Sequence, residues 1–280
     1  MNRIGSCARW LRQAFSWPEW LLFASMYLSV RAVSRTGWPG WSLPLDLLAG
    51  LSFFVLLKLL DETMDYDQDR AAGRDSFLLR GEVGLGELRA LLVVIVAVQG
   101  ACTLRAGAAA PALVWIALLA CAWLLAHPVL AARPLLYSLL HYLLLPGFAW
   151  WQFALASGGC HVYTSHVLLM AVFYGGAMQY ELSRKLEPAG GYRHVLGLGT
   201  GCLLIVCFSL LASLAAAVLS LLLSGRWWGV AMAAGLFGLV LSVHARLALR
   251  PSAPFNRLAA QASGVSLLGL NLTIAAAALA

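Results

Sequence analysis

Long apolar stretches separated by short polar segments run along nearly the whole chain. A helix that crosses a bilayer needs about 20 mostly apolar residues, and nine stretches approach or exceed that length. The pattern predicts an all-α polytopic membrane protein, a bundle of nine transmembrane helices in a single domain over residues 1–280. The predicted spans are Pro18–Val33, Leu43–Leu60, Leu88–Leu104, Pro111–Leu130, Pro134–Ala156, Val162–Tyr180, His194–Leu222, Trp227–Val243 and Ala259–Ala280.

The apolar stretches are too long for the strands of a membrane barrel. Only helices and closed barrels satisfy their backbone groups in lipid, and barrel strands are alternating segments of roughly 10 residues. Several stretches also open with a proline, at Pro18, Pro111 and Pro134. A proline in the first turn of a helix costs no hydrogen bond, because the N–H groups there have no partner within the helix. These features favour helices.

The composition excludes a soluble domain. The chain is 61% hydrophobic and 11% charged, with a mean hydropathy of +0.82, whereas soluble domains carry about 25% charged residues. The six cysteines are scattered and show no zinc-ligand spacing. A net charge of +7 is explained by basic residues in cytoplasmic loops, so we expect no nucleic-acid partner.

The basic residues also predict an orientation. With the amino terminus in the cytoplasm, all but four of the 19 Lys and Arg residues lie on the inner side, as the positive-inside rule requires. The four exceptions are Arg31, Arg35, Arg105 and Arg226. No small-residue cleavage site follows the first apolar run, so that run is interpreted as a retained span. We expect an integral membrane protein with its amino terminus in the cytoplasm and its carboxyl terminus outside.

Acidic residues concentrate where the second predicted span ends. Six of the 12 acids lie within residues 61–75, and Asp61, Asp65 and Asp69 recur every four residues. On a helix this spacing places the three carboxylates on one face. Carboxylates so close together repel one another unless a cation lies among them, and oxygen ligands suit Mg²⁺. The pattern therefore indicates a magnesium site.

Basic residues flank the acidic run. Lys58 precedes Asp61 by one turn, and Arg70, Arg74 and Arg80 follow. A divalent cation together with Arg and Lys is the usual equipment for binding a diphosphate. The alternative is a solvated loop at the membrane surface, in which the acidic and basic side chains simply pair.

The stretch from Asp61 to Asp69 resembles the first aspartate-rich motif of the UbiA superfamily of intramembrane prenyltransferases. That motif is usually written Asn-Asp-x-x-Asp-x-x-x-Asp. Asp61 stands at the position of the asparagine, and Glu62, Asp65 and Asp69 match the three acids. Arg80 and Gly81 match the end of an Arg-Pro-x-Pro-Arg-Gly element that follows in many relatives, whose first arginine and prolines are absent here.

A second segment, Glu181-Leu182-Ser183-Arg184-Lys185, is similar to the Glu-x-x-Arg-Lys form of the family's second motif in one bacterial branch. Glu181 replaces the first aspartate of that motif, and Lys185 occupies the position of the second. The alternative is an ordinary helix end, at which basic residues in the last turn interact favourably with the helix dipole.

The resemblance implies a Mg²⁺-dependent enzyme that moves a prenyl group from a polyprenyl diphosphate to a small or lipophilic acceptor and releases diphosphate. It implies metal ligands at Asp61, Glu62, Asp65, Asp69 and Glu181, diphosphate contacts from Lys58, Arg80, Arg184 and Lys185, and catalytic roles for Asp65, Asp69 and Lys185. The implied partners are the prenyl diphosphate, an acceptor and the lipid bilayer, and the likeness to a bacterial branch implies a bacterial inner membrane.

Two other functions remain open from the sequence. A membrane terpene cyclase of the same superfamily would let the prenyl chain attack itself, without an acceptor. A non-catalytic isoprenoid binder or transporter would keep the fold without the chemistry. Transporters usually place ionisable residues near the bilayer midplane, whereas the acids here lie at the ends of predicted spans. His141, inside the fifth span, is either a functional residue, the default for an ionisable group within a span, or a neutral histidine bonded to a neighbouring helix, which is the interpretation we favour.

Overall fold

The computed structural model describes residues 3–34, 43–64, 66, 70–71, 73, 78–125, 133–186 and 191–280, and every regular element of at least eight residues in these ranges is a helix. The helices are α1 (Arg3–Ala14), α2 (Trp17–Ser34), α3 (Leu43–Met64), α4 (Leu85–Arg105), α5 (Ala109–Leu125), α6 (Pro134–His141), α7 (Leu144–Ser157), α8 (Thr164–Lys185), α9 (Gly191–Ser224), α10 (Trp228–Leu249) and α11 (Ala253–Leu279).

The all-helical membrane fold predicted from the sequence is confirmed. Each of the nine apolar stretches has a helix, or a pair of helices, as its counterpart. By length and composition, five helical segments are suited to cross a membrane, and α5 is a shorter apolar helix. The five are α4, the α6–α7 pair, residues 192–224 of α9, α10 and α11. Nine membrane crossings remain a prediction.

The fifth predicted span is broken into two helices, α6 and α7. Pro146 has no N–H to give to the Tyr142 carbonyl four residues earlier, and its ring would crowd that carbonyl in a continuous helix. The Tyr142 carbonyl instead accepts from the Leu145 N–H at 3.2 Å, and the Leu143 N–H donates to the Leu140 carbonyl at 3.1 Å. The helix therefore tightens into a turn at Tyr142 and Leu143 before α7 begins.

The amino-terminal segment forms a helix that the sequence analysis did not predict. In α1, Trp10 is buried whereas Arg9 and Arg12 are exposed, so the helix is amphipathic. It precedes the first apolar stretch and packs against α4. The sequence pattern does not predict this helix because its apolar face extends over only 12 residues.

The eighth helix lies at the centre of the bundle. α8 packs against α9, α11, α7 and α2, and Gln179, Glu181 and Ser183 in its second half are buried. Its contact with α9 requires a glycine, because a Cβ at Gly175 would lie 2.8 Å from the Phe208 carbonyl oxygen. The polar end of α8 is thus held among helices that surround it.

Candidate functional site

A cavity of about 250 Å³ lies beside the carboxyl-terminal ends of α3 and α8. It is closed by the end of α1 and by parts of α2, α6, α7 and α11. The polar side chains that line it come from several helices and include both segments singled out in the sequence. They are Glu19, Lys58, Asp61, His141, Tyr142, Tyr180, Glu181 and Arg184.

On the α3 side, two carboxylates are held by different partners. The Asp61 carboxylate accepts a 3.1 Å hydrogen bond from the Tyr137 hydroxyl. Glu62 Oε1 lies 3.2 Å from Lys58 Nζ, one helical turn away. Asp61 and Lys58 line the cavity, whereas Glu62 reaches it through its ion pair with Lys58.

On the α8 side, a buried carboxylate holds two cations. Glu181 is 2% exposed; its Oε2 lies 2.9 Å from Arg184 Nη2, and its Oε1 pairs with Lys185 Nζ. The three residues fall at i, i+3 and i+4, where side chains of one helix face meet. This spacing lets one short sequence segment build the whole cluster.

The α8 cluster carries a net positive charge. A carboxylate buried without a partner is strongly unfavourable, which explains why both Glu181 oxygens are paired. The side chains of Arg184 and Lys185 are 54% and 44% exposed, so their remaining N–H groups are accessible to a ligand. Lys185 Nζ also lies 5.6 Å from the centroid of the Tyr192 ring, within the range of a cation–π contact.

The rest of the cavity wall is apolar and aromatic. The Phe23 and Phe54 rings stack with centroids 4.0 Å apart, and Phe54 in turn contacts Phe148 at 5.1 Å. Further apolar lining comes from Phe15, Leu22, Met26, Leu57, Leu145, Ala177 and Leu267. The cavity therefore has a charged end and a hydrocarbon-like end, an arrangement suited to an amphiphilic ligand.

The structure brings together four of the residues predicted as site residues: Lys58, Asp61, Glu181 and Arg184 line one cavity. Lys185 joins them through Glu181. Arg80 pairs with Glu82 in the turn before α4 and is not among the lining residues. Asp65 and Asp69 lie outside the described residues.

The described oxygen ligands around the cavity are few for a metal site. Among the residues that the structure describes, no group of three or more His, Cys, Asp or Glu side chains is placed to hold a metal. Mg²⁺ is usually held by only one or two carboxylates together with substrate phosphates and waters. Asp61, whose carboxylate is bonded to a neutral hydroxyl, meets that requirement, whereas both oxygens of Glu181 are already occupied by cations.

Sequence reasoning missed several lining residues. Tyr142 and Tyr180 bring hydroxyl groups to the charged end, and Glu19 caps the start of α2 by accepting from the Ser16 N–H at 2.7 Å. Pro146 is the sequence signal that could have identified Tyr142, because the proline interrupts the helix at that residue. His141, for which the sequence left two readings open, lines the cavity with its ring 5.1 Å from that of Tyr137.

Two solved structures share this architecture. A structure from a study of digeranylgeranylglyceryl phosphate synthase in membranes superposes with a TM-score of 0.65, covering 92% of this chain and 93% of that one at 12% identity. The apo structure of a UbiA homologue from Aeropyrum pernix K1 gives a TM-score of 0.64, covering 95% and 98% of the two chains at 18% identity.

By sequence, no known family model and no curated protein matches the chain. The structural likeness extends over nearly the full length of each partner. The chain therefore has the fold of the UbiA homologue, which confirms the fold that the sequence resemblance implied.

Proposed function

We propose that this chain is a UbiA-superfamily intramembrane prenyltransferase, which transfers a prenyl group from a polyprenyl diphosphate to a small or lipophilic acceptor. The observation that carries the proposal is the shared cavity: Lys58 and Asp61 of α3 face Glu181 and Arg184 of α8 across it. The two segments that resemble the family's motifs are far apart in sequence, and described residues from both line this one cavity.

The diphosphate head of the donor binds between the two helices in this proposal. Lys58 approaches from α3 and Arg184 from α8, and Lys185 lies beside Arg184. A guanidinium group offers up to five N–H donors. In Arg184 only Nη2 donates to Glu181, so the N–H groups of the other two nitrogens can bind the diphosphate. Positive groups on opposite sides neutralise the charge that develops on the leaving diphosphate.

Mg²⁺ is the proposed cofactor, held by Asp61 with Glu62, Asp65 and Asp69 as further ligands. The metal would supply positive charge at the diphosphate oxygens. Tyr137 orients Asp61 for this role through its hydrogen bond. Arg80, placed in the turn before α4 beside Glu82, remains a proposed diphosphate contact.

Glu181 has a different role in this proposal from that of a simple metal ligand. Because both of its oxygens are paired with Arg184 and Lys185, its main effect is to fix the positions of the two cations. Binding of a metal by Glu181 would require one of those pairs to open. The implied metal contact of Glu181 stays a prediction. It is tested by measuring whether a substitution of Glu181 changes the Mg²⁺ concentration that the reaction requires.

The reaction breaks the allylic C–O bond of the donor, and the electron pair leaves with the diphosphate. The acceptor then attacks the allylic carbon and loses its proton. The stacked Phe23 and Phe54 rings keep water from the reactive carbon and present π faces to positive charge. The hydroxyls of Tyr142 and Tyr180 are placed to orient a polar acceptor at the charged end.

The test uses the purified full chain in lipid nanodiscs, incubated with prenyl diphosphates of several lengths, Mg²⁺ and candidate acceptors. We expect diphosphate release that EDTA abolishes. Asp65→Asn and Asp69→Asn should each reduce release by well over tenfold, about 1.4 kcal/mol of barrier for each factor of ten. Asp46→Asn, at the opposite end of α3 and paired with Arg105, is the matched control and should retain release.

Other outcomes identify the alternatives. Formation of a cyclic hydrocarbon without an acceptor would show that the protein is a terpene cyclase and not a transferase. Binding of prenyl diphosphates without release from any of them would indicate a non-catalytic isoprenoid binder. Normal release by both aspartate variants would overturn the proposed metal site.

A further inference from the structure

A second and larger hollow, of about 880 Å³, lies on the outside of the bundle. It is a groove between α1, the turn that precedes α4 and the first half of α4. On α1 it is lined by Cys7, Ala8 and Leu11, and on α4 by Ala90, Leu91 and Val94. None of the described residues lines both this groove and the central cavity.

The amphipathic character of α1 places this groove at a membrane surface. Ser6 and Trp10 are buried against the bundle, whereas Arg9, Arg12 and Gln13 are exposed. Helices with one apolar face and arginines on the other face lie in the headgroup region of a bilayer. Because α1 packs on α4, which is suited to cross the membrane, the groove runs from that surface towards the lipid tails.

The two ends of the groove differ in chemistry. At the lipid end, Val94 is 56% exposed, as expected for a residue in contact with acyl chains. At the surface end the groove has free space beside the backbone, since a Cβ at Gly81 or Gly86 would meet no atom within 4 Å. Exposed arginines flank this end: Arg12 lies one turn after Ala8 on α1, and Arg89 one turn after Gly86 on α4.

Two acidic residues also line the surface end, but both have partners. Glu82 pairs with Arg80, and the Glu87 carboxylate accepts the Gly84 N–H at 3.0 Å as a cap of α4. Within the described ranges, Arg12 and Arg89 form no ion pair. The Gly84 N–H does not neutralise Glu87, so Arg12 and Arg89 together leave a net positive charge beside the groove for a negatively charged ligand.

We propose that this groove binds one anionic phospholipid. Its phosphate lies between Arg12 and Arg89, and one acyl chain runs along Leu11, Leu91 and Val94. The volume of about 880 Å³ is within the roughly 300–1,000 Å³ of ligand pockets. Basic residues beside a membrane helix attract anionic headgroups, and the apolar floor selects a lipid over a free phosphate.

The test is native mass spectrometry of the delipidated full chain titrated with phosphatidylglycerol or with phosphatidylcholine of the same acyl chains. We expect tighter retention of phosphatidylglycerol. Arg12→Gln combined with Arg89→Gln should weaken it by about fivefold or more. Arg226→Gln combined with Arg250→Gln, which removes two exposed arginines away from the groove, is the matched control and should leave retention unchanged.

A steric variant tests the acyl-chain part of the site. Ala90→Trp fills the groove, whereas Ala101→Trp adds the same ring at an exposed position of α4 outside it. Circular dichroism verifies that each variant keeps its helical content. Equal affinity for the two lipids overturns the proposal, and so does wild-type phosphatidylglycerol binding in either the double arginine variant or Ala90→Trp. No prenyl diphosphate is used, so the result is independent of the proposed enzymatic function.

Discussion

The Tyr137 hydroxyl donates a 3.1 Å hydrogen bond to Asp61 Oδ1 and thereby joins α6 to the last turns of α3. Tyr137 lies on the short helix that Pro146 separates from α7. Asp61 lies at the start of the acidic run, on the wall of the central cavity. A helix break and an acidic segment, remote from each other in sequence, are thus parts of one site.

Replacing Tyr137 by phenylalanine should weaken the proposed enzyme without unfolding it. The change removes the bond that orients Asp61, and a hydrogen bond to a charged group contributes about 1.5–3 kcal/mol. We expect kcat/KM for the prenyl donor to fall by about tenfold. Tyr174→Phe, which removes a 3.2 Å bond to the Leu139 carbonyl, is the control; an equal loss in both variants would contradict a specific role for Tyr137.

The pairs around Glu181 should behave cooperatively. Arg184→Gln or Lys185→Gln alone leaves the buried carboxylate with one cation, whereas the double variant leaves it with none. An unpaired buried charge costs about 3–5 kcal/mol, so the double variant should lose more stability than the two single variants together. Thermal unfolding in one detergent measures the difference.

Adding Glu181→Gln to that double variant provides the matching control. The neutral amide removes the buried charge, so the triple variant should regain most of the lost stability while donor binding stays weak. Strictly additive losses, or no recovery in the triple variant, would show that the carboxylate is not the cause.

Asp61 and Glu181 should differ in their effect on the metal requirement. Asp61→Asn removes a proposed metal ligand, so the Mg²⁺ concentration for half-maximal diphosphate release should rise by about tenfold or more. Glu181→Gln releases Arg184 and Lys185, so it should raise the KM for the donor and leave the Mg²⁺ midpoint near that of the wild type. A Mg²⁺ midpoint shifted equally by both changes would contradict this difference and support Glu181 as a metal ligand.

Much of the fold was predictable because each apolar stretch determines its own helix. The stretch Leu88–Leu104 was predicted almost to its observed bounds, Leu85–Arg105. The division between α6 and α7 depends on one missing N–H at Pro146, which an average over 20 apolar residues does not detect. The helix α1 was missed because its amphipathic pattern covers only 12 residues.

The candidate site was predictable where its residues lie on one helix. The spacing of Glu181, Arg184 and Lys185 by itself puts them on one face of α8. The approach of Asp61 to Tyr137, and of Lys58 to Arg184 across the cavity, depends on how separate helices pack. One sequence does not contain that information, and only the resemblance to a known family supplied the pairing of the two segments.

The close contact between α8 and α9 should not tolerate a methyl group. In Gly175→Ala the Cβ would lie 2.8 Å from the Phe208 carbonyl oxygen and 3.1 Å from the Ala212 nitrogen. These are backbone atoms, which move less easily than a side chain, and overpacking costs about 1–3 kcal/mol. The unfolding temperature should fall.

Gly235→Ala on α10 is the control for that change, because its Cβ would meet no atom within 4 Å. Alanine is the better helix former by about 0.5–1 kcal/mol, so this variant should be as stable as the wild type or slightly more stable. Equal stability of the two alanine variants would contradict the tight packing of α8 on α9.

The most direct test of the central cavity is photo-crosslinking with a prenyl diphosphate analogue that carries a diazirine on its first isoprene unit. After irradiation in the presence of Mg²⁺, mass spectrometry identifies the labelled peptides. We predict labels on both α3 and α8, near Leu57 and Ala177, that excess unlabelled donor removes. Labels confined to other helices, or labels on α3 and α8 that the donor does not displace, would contradict the account.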